Sequence, residues 1–286
     1  MMHFQLLLNG KGGKDIWVKN LAKYFSTHNV NHVVYTTGTD NLSKFNTSNG
    51  PAIVVGLMRG SEVILDLFIQ QKQKFYYFDN PYLWHGNRNT FKFSWKRFCK
   101  NSFAKNELED LSKIDTKDIQ RIHSNKLEEH LKSIKSWKKN GSYILVCPSS
   151  SRIMSRIEQR NITEKEWINK TVKTLKTYTD RPIIVKKKKN NKNMKHYLNH
   201  NCFACVTYTS MAAIESLQEG IPVFCHPQST AFPLSVCDLS KIEQPIYPDN
   251  RDQLTKTLLL NQFNKEDFLS GLAWNFVNRG ENRDEY

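Results

Sequence analysis

Short apolar runs alternate with amphipathic stretches along most of the chain, the signature of βαβ units built around parallel sheets. FQLLL at residues 4–8 predicts a first strand, and the glycine-rich GKGGK loop follows it. Ile16, Val18, Leu21, Tyr24 and Phe25 then mark the inward face of a helix, with Asp15 placed as its N-cap. NHVVYTT and PAIVVGLM predict two further strands, Ser61 opens a helix through VILDLFIQQ, and KFYYFD predicts a fourth strand ending at Asp79. Residues 80–105 are aromatic and basic with weaker regularity, and 106–136 are polar and helical in tendency.

A second set of units begins at Ser142. YILVCPS predicts a strand running into the corner Ser149, Ser150, Ser151, and Thr163 with Glu166 forms a T-x-x-E capping box for the helix that follows. RPIIVKKK and CFACVTY predict strands, and TSMAAIESLQEG predicts a helix stopped by Gly220 at its C′ position. IPVFCH is the next strand, and two helical patterns, 250–262 and 264–277, close the chain. Charge and glycine replace apolar periodicity at SWKKNGS (136–142), which puts a domain boundary there. The expected architecture is therefore α/β, with two Rossmann-like domains, 1–138 and 139–286.

Composition narrows the class. The 286 residues carry 42 Lys+Arg against 27 Asp+Glu, a net +15, with 12 glycines and 9 prolines, so neither a collagenous nor a low-complexity chain fits. No apolar run approaches the roughly 20 residues that span a bilayer. MMHFQLLLNG lacks the charged start of a signal peptide, and the expected location is the cytoplasm. Six cysteines include one C-x-x-C, Cys202 and Cys205, inside an apolar strand and without a second pair at zinc-site spacing, so core thiols are expected. Of the 42 basic residues 31 are lysine, and 27 asparagines accompany them, a bias that an AT-rich genome supplies to any surface.

The placement of that charge is more informative than its total. No acid lies between Asn80 and Asn106, where Arg88, Lys92, Lys96, Arg97 and Lys100 alternate with Phe91, Phe93, Trp95 and Phe98. Such a block suits either a nucleic-acid groove with stacking aromatics or a strand with one buried aromatic face. Acids are missing again from Arg181 to Ile214, where Lys186 and Lys188 belong to a lysine run.

Three segments carry candidate chemistry. GKGGK joins a strand to a helix, so Gly12 and Gly13 would let backbone approach an anion, or simply make a tight turn; neither the Walker A nor the G-x-G-x-x-G spacing is present. In VTYTSMAAIESLQEGIPVF, a strand delivers Thr207, Tyr208, Thr209 and Ser210 to a helix start, with Glu215 about one and a half turns in, an arrangement that suits a phosphate and sugar hydroxyls. Asp79 stands at a strand's carboxyl end and serves either as a general base or as a loop cap, and Asp15 is a second carboxylate with an N-cap alternative. His85 and His226 lie near the same predicted strand ends.

The order PSS…W…RPIIVKKK…VTYTSMAAIESLQEGIPVF…DLSKIEQPIYPDN…LLLNQF…GLAW resembles the C-terminal half of GT-B-type glycosyltransferases, and in particular small glycosyltransferases encoded by bacteriophages. KFYYFDNPYL is similar to a segment of their first half, although Pro81 stands where that group tends to have glycine. The resemblance implies two Rossmann-like domains facing a central cleft, an acceptor-side domain (1–138) and a nucleotide-sugar donor domain (139–286). It implies donor binding by Ser149, Ser150, Ser151, Lys186, Lys188, Thr209, Ser210 and Glu215, and it implies no essential metal. A UDP-sugar is the favoured co-substrate. The preferred acceptor is a hydroxymethylated pyrimidine in phage DNA, with Arg88, Lys92, Lys96, Arg97 and Lys100 on the DNA. The alternatives are transfer to lipopolysaccharide or capsule sugars, and a non-catalytic nucleic-acid or nucleotide-sugar binding protein.

Overall fold

The structure, a computed structural model, describes residues 3–8, 15–36, 43–57, 60–84, 94–187, 193–199 and 201–279. In chain order its strands are β1 (Phe4–Leu8), β2 (His32–Thr36), β3 (Ala52–Val55), β4 (Phe75–Asp79), β5 (Trp95–Lys100), β6 (Tyr143–Cys147), β7 (Ile183–Val185), β8 (Cys202–Thr207), β9 (Val223–Phe224) and β10 (Gln262–Asn264). The helices are α1 (Ile16–Thr27), α2 (Ser61–Gln70), α3 (Thr116–Ser124), α4 (Leu127–Lys132), α5 (Ser151–Ile157), α6 (Glu164–Leu175), α7 (Met194–Asn199), α8 (Ala212–Gln218), α9 (Arg251–Leu260), α10 (Lys265–Leu269) and α11 (Leu272–Val277). Two compact units result, Met1–Ala104 with Asn261–Tyr286, and Lys105–Leu260.

The first unit holds a sheet ordered β10-β5-β4-β3-β1-β2. Strands β1 to β4 run parallel, with Gln5 beside both Val33 and Ala52. β5 runs antiparallel to β4, with Tyr77 opposite Cys99, and β10 antiparallel to β5, with Phe263 opposite Lys96. The core is aromatic: Phe4 meets Trp274 edge-on at 4.9 Å, and Phe78 lies 4.3 Å from Phe98. Such pairs add specific geometry to the area they bury. Gln5 is the polar exception in β1; its amide donates to Asn46 O (2.7 Å) and Gly50 O (2.8 Å), and its oxygen accepts from Asn46 N–H (3.0 Å). A buried amide is tolerated because it is bonded on both sides.

The second unit holds a parallel sheet ordered β7-β6-β8-β9. β6 and β8 are buried along their whole length, which is why both read as continuous apolar runs. Ile144, Val146, Phe203, Val206 and Phe224 pack with Leu175 of α6 and Ile242. The Thr163–Glu166 capping box forms, with Thr163 Oγ1 accepting from Glu166 N–H at 3.2 Å. Gly220 ends α8 at φ +76°, and a Cβ there would stand 2.0 Å from Ser136 O, so both backbone conformation and close approach require glycine.

Four local expectations differ from the structure. QFN at 262–264 is the strand β10, where helical patterns 250–262 and 264–277 were expected. Its signal is three residues long and its Gln262 amide is structural, accepting from Tyr82 and Leu83 N–H at 3.1 Å each. This strand carries the chain end into the first unit's sheet, so the units divide at 104/105 and 260/261 rather than at 138/139. The segment 136–142, read as a domain boundary, begins against the end of α8: Lys138 N–H donates to Gly220 O at 2.7 Å, and the Arg251 guanidinium covers Trp137 at 3.8 Å. Finally, Asp15 occupies the N-cap position of α1 without a side-chain capping bond. Among the described residues no helix is long and apolar enough to cross a membrane.

Candidate active site

In the second unit the chain passes from β6 outward to β7 and then crosses back to β8 on the other side of β6. The crevice outside the carboxyl ends of β6 and β8 is therefore a topological switch point, the place where open parallel sheets leave room for a ligand. Ser149 follows β6 and Thr209 follows β8 at this point. Thr209 N–H donates to Ser149 Oγ at 2.8 Å, and the two hydroxyl oxygens are 3.4 Å apart. Thr207 Oγ1 donates to Cys147 O at 2.6 Å and clamps the strand ends together below them.

The hydroxyls divide by task. Ser149 is buried and positions Thr209, while Ser150, Thr209 and Ser210 are half-buried. Ser151 is structural, accepting from Glu164 N–H at 2.9 Å and so tying α5 to the start of α6. Ser210 Oγ accepts from Ala212 N–H at 3.3 Å and holds the entry to α8; Glu215 lies in that helix's first turn, half-buried. Lys186 leaves β7 beside the same edge, with its N–H on Val146 O (2.9 Å) and its ammonium over the Tyr197 ring (5.6 Å).

Next to Thr209 stands a group that sequence reading missed. The Tyr208 hydroxyl donates to Glu158 Oε1 at 2.5 Å, and His226 stacks on the Tyr208 ring at 4.3 Å. His226 Nδ1 accepts from Gln228 N–H at 3.2 Å, which places the neutral ring's proton on Nε2, 3.8 Å from Glu158 Oε1. Burial lowers the His226 pKa, with the Glu158 charge opposing. Burial and the Glu158 bond raise that of Tyr208. Glu158 carries no motif, and its role depends on a turn 50 residues before Tyr208. His226 was visible only as a lone histidine after a strand.

In the first unit Asp79 does end β4, but its oxygens are engaged. Oδ2 accepts from Arg97 Nη2 (2.7 Å) and from the Tyr77 hydroxyl (3.0 Å), and Oδ1 accepts from Asn80 N–H (2.7 Å). Burial pulls the Arg97 pKa down, but the Asp79 charge with Tyr82, Tyr77 and Cys99 outweighs it, and the net shift is upward. Lys96 is buried, donating to Asn80 Oδ1 (3.2 Å) with its ammonium over Trp17 (4.9 Å). Lys100 donates to Asn278 Oδ1 at 3.0 Å. Lys96 is thus buried, while Arg97 and Lys100 are half-buried and each bonded within the unit. The expected one-sided aromatic alternation also differs, since Lys96 and Phe98 share one face of β5 while Trp95 and Arg97 share the other. Asp15 is buried at the start of α1, the helix that follows β1 in the chain. Gly12, Gly13, His85, Arg88, Lys92 and Lys188 lie outside the described residues.

The cysteines at 99, 147, 202, 205 and 225 are buried and reduced, and Cys237 is exposed. The Cys205 neighbour and burial raise Cys147, and burial pushes Cys225 up to about 11, so these thiols stay protonated. Among the described residues no three His, Cys, Asp or Glu side chains form a metal-binding group.

No protein-family model and no curated protein matches the sequence. Solved structures do share the fold. The Thermosulfurimonas dismutans KpsC beta Kdo 2,7 transferase superposes with a TM-score of 0.53 at 13% identity, covering 98% of this chain and 100% of that one. The beta Kdo 2,4 transferase of the same protein gives a TM-score of 0.50 at 11% identity, covering 96% and 99%. The chain is a mixed α/β protein whose sheets are built mainly of parallel strands, in the fold of these Kdo transferases.

Proposed function

We propose that the chain is a glycosyltransferase that takes a sugar from a nucleotide-sugar donor and passes it to a hydroxyl of a surface-polysaccharide-type glycan. The observation that carries this reading is the Ser149–Thr209 junction at the switch point of the second unit's sheet, with Lys186 on the neighbouring strand end. Departure of a nucleotide develops negative charge on phosphate oxygens, and an ammonium with fixed hydroxyl and amide donors stabilises that charge more as the transfer proceeds. Thr209 and Ser210 would hold the phosphate, Lys186 would neutralise it, and Glu215 would accept from sugar hydroxyls. Of the two carboxylates nominated as base for the acceptor hydroxyl, the proposal retains Asp15. Asp79 is better suited to holding Arg97 and the Asn80 turn, because three donors already occupy its oxygens.

The glycan acceptor is favoured over DNA on two grounds. The fold neighbours are Kdo transferases. In addition, the described members of the basic block assigned to DNA are held by Asp79, Asn80 and Asn278, and Lys96 is buried. The test is a thermal-shift panel of nucleotide sugars, since a donor that binds only the folded chain raises its melting temperature. Transfer of labelled sugar from the best donor is then measured onto polysaccharide fragments and onto hydroxymethyl-pyrimidine DNA. A panel without any stabilising donor sinks the reading, and transfer to DNA alone restores the other acceptor.

A further inference from the structure

The carboxyl edge of the second unit's sheet does not stop at β8. β9 runs parallel beside it, with Val206 level with Phe224. His226 therefore stands level with Tyr208, whose carbonyl accepts from His226 N–H at 3.0 Å. Ser149, Thr209 and His226 are each the second residue past a strand end, on three neighbouring strands in the order β6, β8, β9. The loop that carries His226 is held in place. The His226 carbonyl accepts from Ser229 N–H at 2.8 Å, and Pro227 O accepts from the Asn106 amide at 3.1 Å.

Packing explains part of the group formed by Glu158, Tyr208 and His226. The tyrosine hydroxyl finds an acceptor in Glu158 Oε1, and its ring is covered by the imidazole and packs with Met154 and Ile162. Packing does not explain the polar atoms that remain. Nε2–H of the neutral His226 ring is 3.8 Å from Glu158 Oε1, beyond hydrogen-bond length, and Arg160 Nε stands 3.9 Å from Glu158 Oε2. The His226 and Glu158 side chains are 27% and 31% exposed, so both reach solvent. A donor and an acceptor spaced in this way suit a group that is itself both acceptor and donor. A hydroxyl oxygen about 2.8 Å from each bridges the gap, accepting from Nε2–H and donating to Oε1, and Oε2 is left to accept from a second hydroxyl. A phosphate would meet the charge of the carboxylate instead, and a cation would meet the imidazole N–H. We propose that Glu158 and His226 form a subsite for a vicinal diol of the donor, an extension that rests on the glycosyltransferase reading. A nucleotide sugar offers such a diol in two places, the ribose and the sugar that is transferred.

The experiment is isothermal titration calorimetry of the full chain with UDP, GDP and CMP, with their 2′-deoxy counterparts, and with UDP-glucose, GDP-mannose and CMP-N-acetylneuraminate. Wild type is compared with Glu158→Gln, which keeps an acceptor for Tyr208, and with His226→Phe, which keeps a ring on Tyr208 but has no N–H. Circular dichroism and melting confirm that each is folded, and His226→Gln serves if the phenylalanine variant is not. With the ribose in the subsite, wild type prefers a ribonucleotide to its deoxy counterpart at least about 10-fold, the usual worth of a hydrogen bond to a charged group, and both variants lose the preference. With the transferred sugar there, the variants bind the sugar nucleotide at least about 10-fold more weakly and the bare nucleotide as before. Either result supports the subsite. Unchanged binding of every probe by the folded variants overturns it. An equal loss for probes with and without the hydroxyls also overturns it, because the group is then packing alone. A wild type that binds none of the nucleotides defeats the donor reading itself, so the two failures are told apart.

Discussion

Each unit gathers polar groups at the carboxyl end of a buried strand, β4 in one and β6 with β8 in the other, yet the two treat those groups in opposite ways. At the end of β4 the charges close on one another: Arg97 on Asp79, Lys96 on Asn80 and the face of Trp17. At the ends of β6 and β8 the groups are hydroxyls, fixed from below by Thr207 and Ser149 and half-open above at Ser150, Thr209 and Ser210. A carboxylate whose oxygens are saturated by donors stabilises the fold but has little left for a substrate. A hydroxyl anchored through one bond keeps its remaining capacity for a ligand. A strand end beside an antiparallel neighbour therefore carries a latch in one unit, and the switch point of a parallel sheet carries a candidate binding edge in the other.

The largest effect that could break this contrast lies at the latch. Arg97→Met leaves Asp79 partly buried without its cation, and removing one partner of such a pair should cost about 3 kcal/mol, the low end for buried ion pairs because Asp79 keeps some solvent contact. Chemical denaturation reads it directly. Asp79→Asn should likewise lower stability while leaving donor binding intact. If Asp79→Asn instead abolishes sugar transfer with stability unchanged, Asp79 is a base and the two edges are not opposites.

Next comes the open edge. Lys186→Met should reduce kcat about 100-fold through loss of one stabilising charge at the departing phosphate, with the melting temperature nearly unchanged. Asp15→Asn tests the base separately, and there kcat should fall while the donor-induced thermal shift is retained. A Lys186→Met enzyme with wild-type kcat would remove the ammonium from the chemistry and leave the hydroxyl junction as the donor site alone.

These edges were unequally legible in the sequence. Strands β1, β6 and β8 announce themselves because burial on both faces demands continuous apolar residues. Thr163–Glu166 and Gly220 announce helix ends because capping and a positive φ each demand particular side chains. The Ser149 and Thr209 corners follow from those strands. The Glu158–Tyr208–His226 group did not follow, because a contact across 50 residues has no periodicity to reveal it. Burial of Lys96 was hidden for a related reason: a lysine reads as surface until an aromatic face and an amide happen to receive it. β10 was too short to compete with the helical patterns around it. What pattern shows is local pairing and burial; which charges neutralise each other is decided by tertiary neighbours.

The smallest effect sharpens the comparison through pH, because the open edge carries a half-buried histidine. The folded-state pKa of His226 is lowered by burial, so below the ordinary histidine value of about 6.5 the unfolded chain binds more protons than the folded one. Stability from keeping this ring neutral is thus fully present above about pH 6.5 and is lost as pH falls through the lower folded value. His226→Gln lacks that titration, so its melting temperature should fall less than that of the wild type between neutral and mildly acidic pH, measured by tryptophan fluorescence in parallel scans. Glu158→Gln should act the other way, since removing the carboxylate charge that favours the imidazolium depresses His226 further and steepens the loss on acidification. Parallel curves for wild type and both variants would mean that His226 titrates as it does in water, and that the second unit's edge is more open than its packing implies.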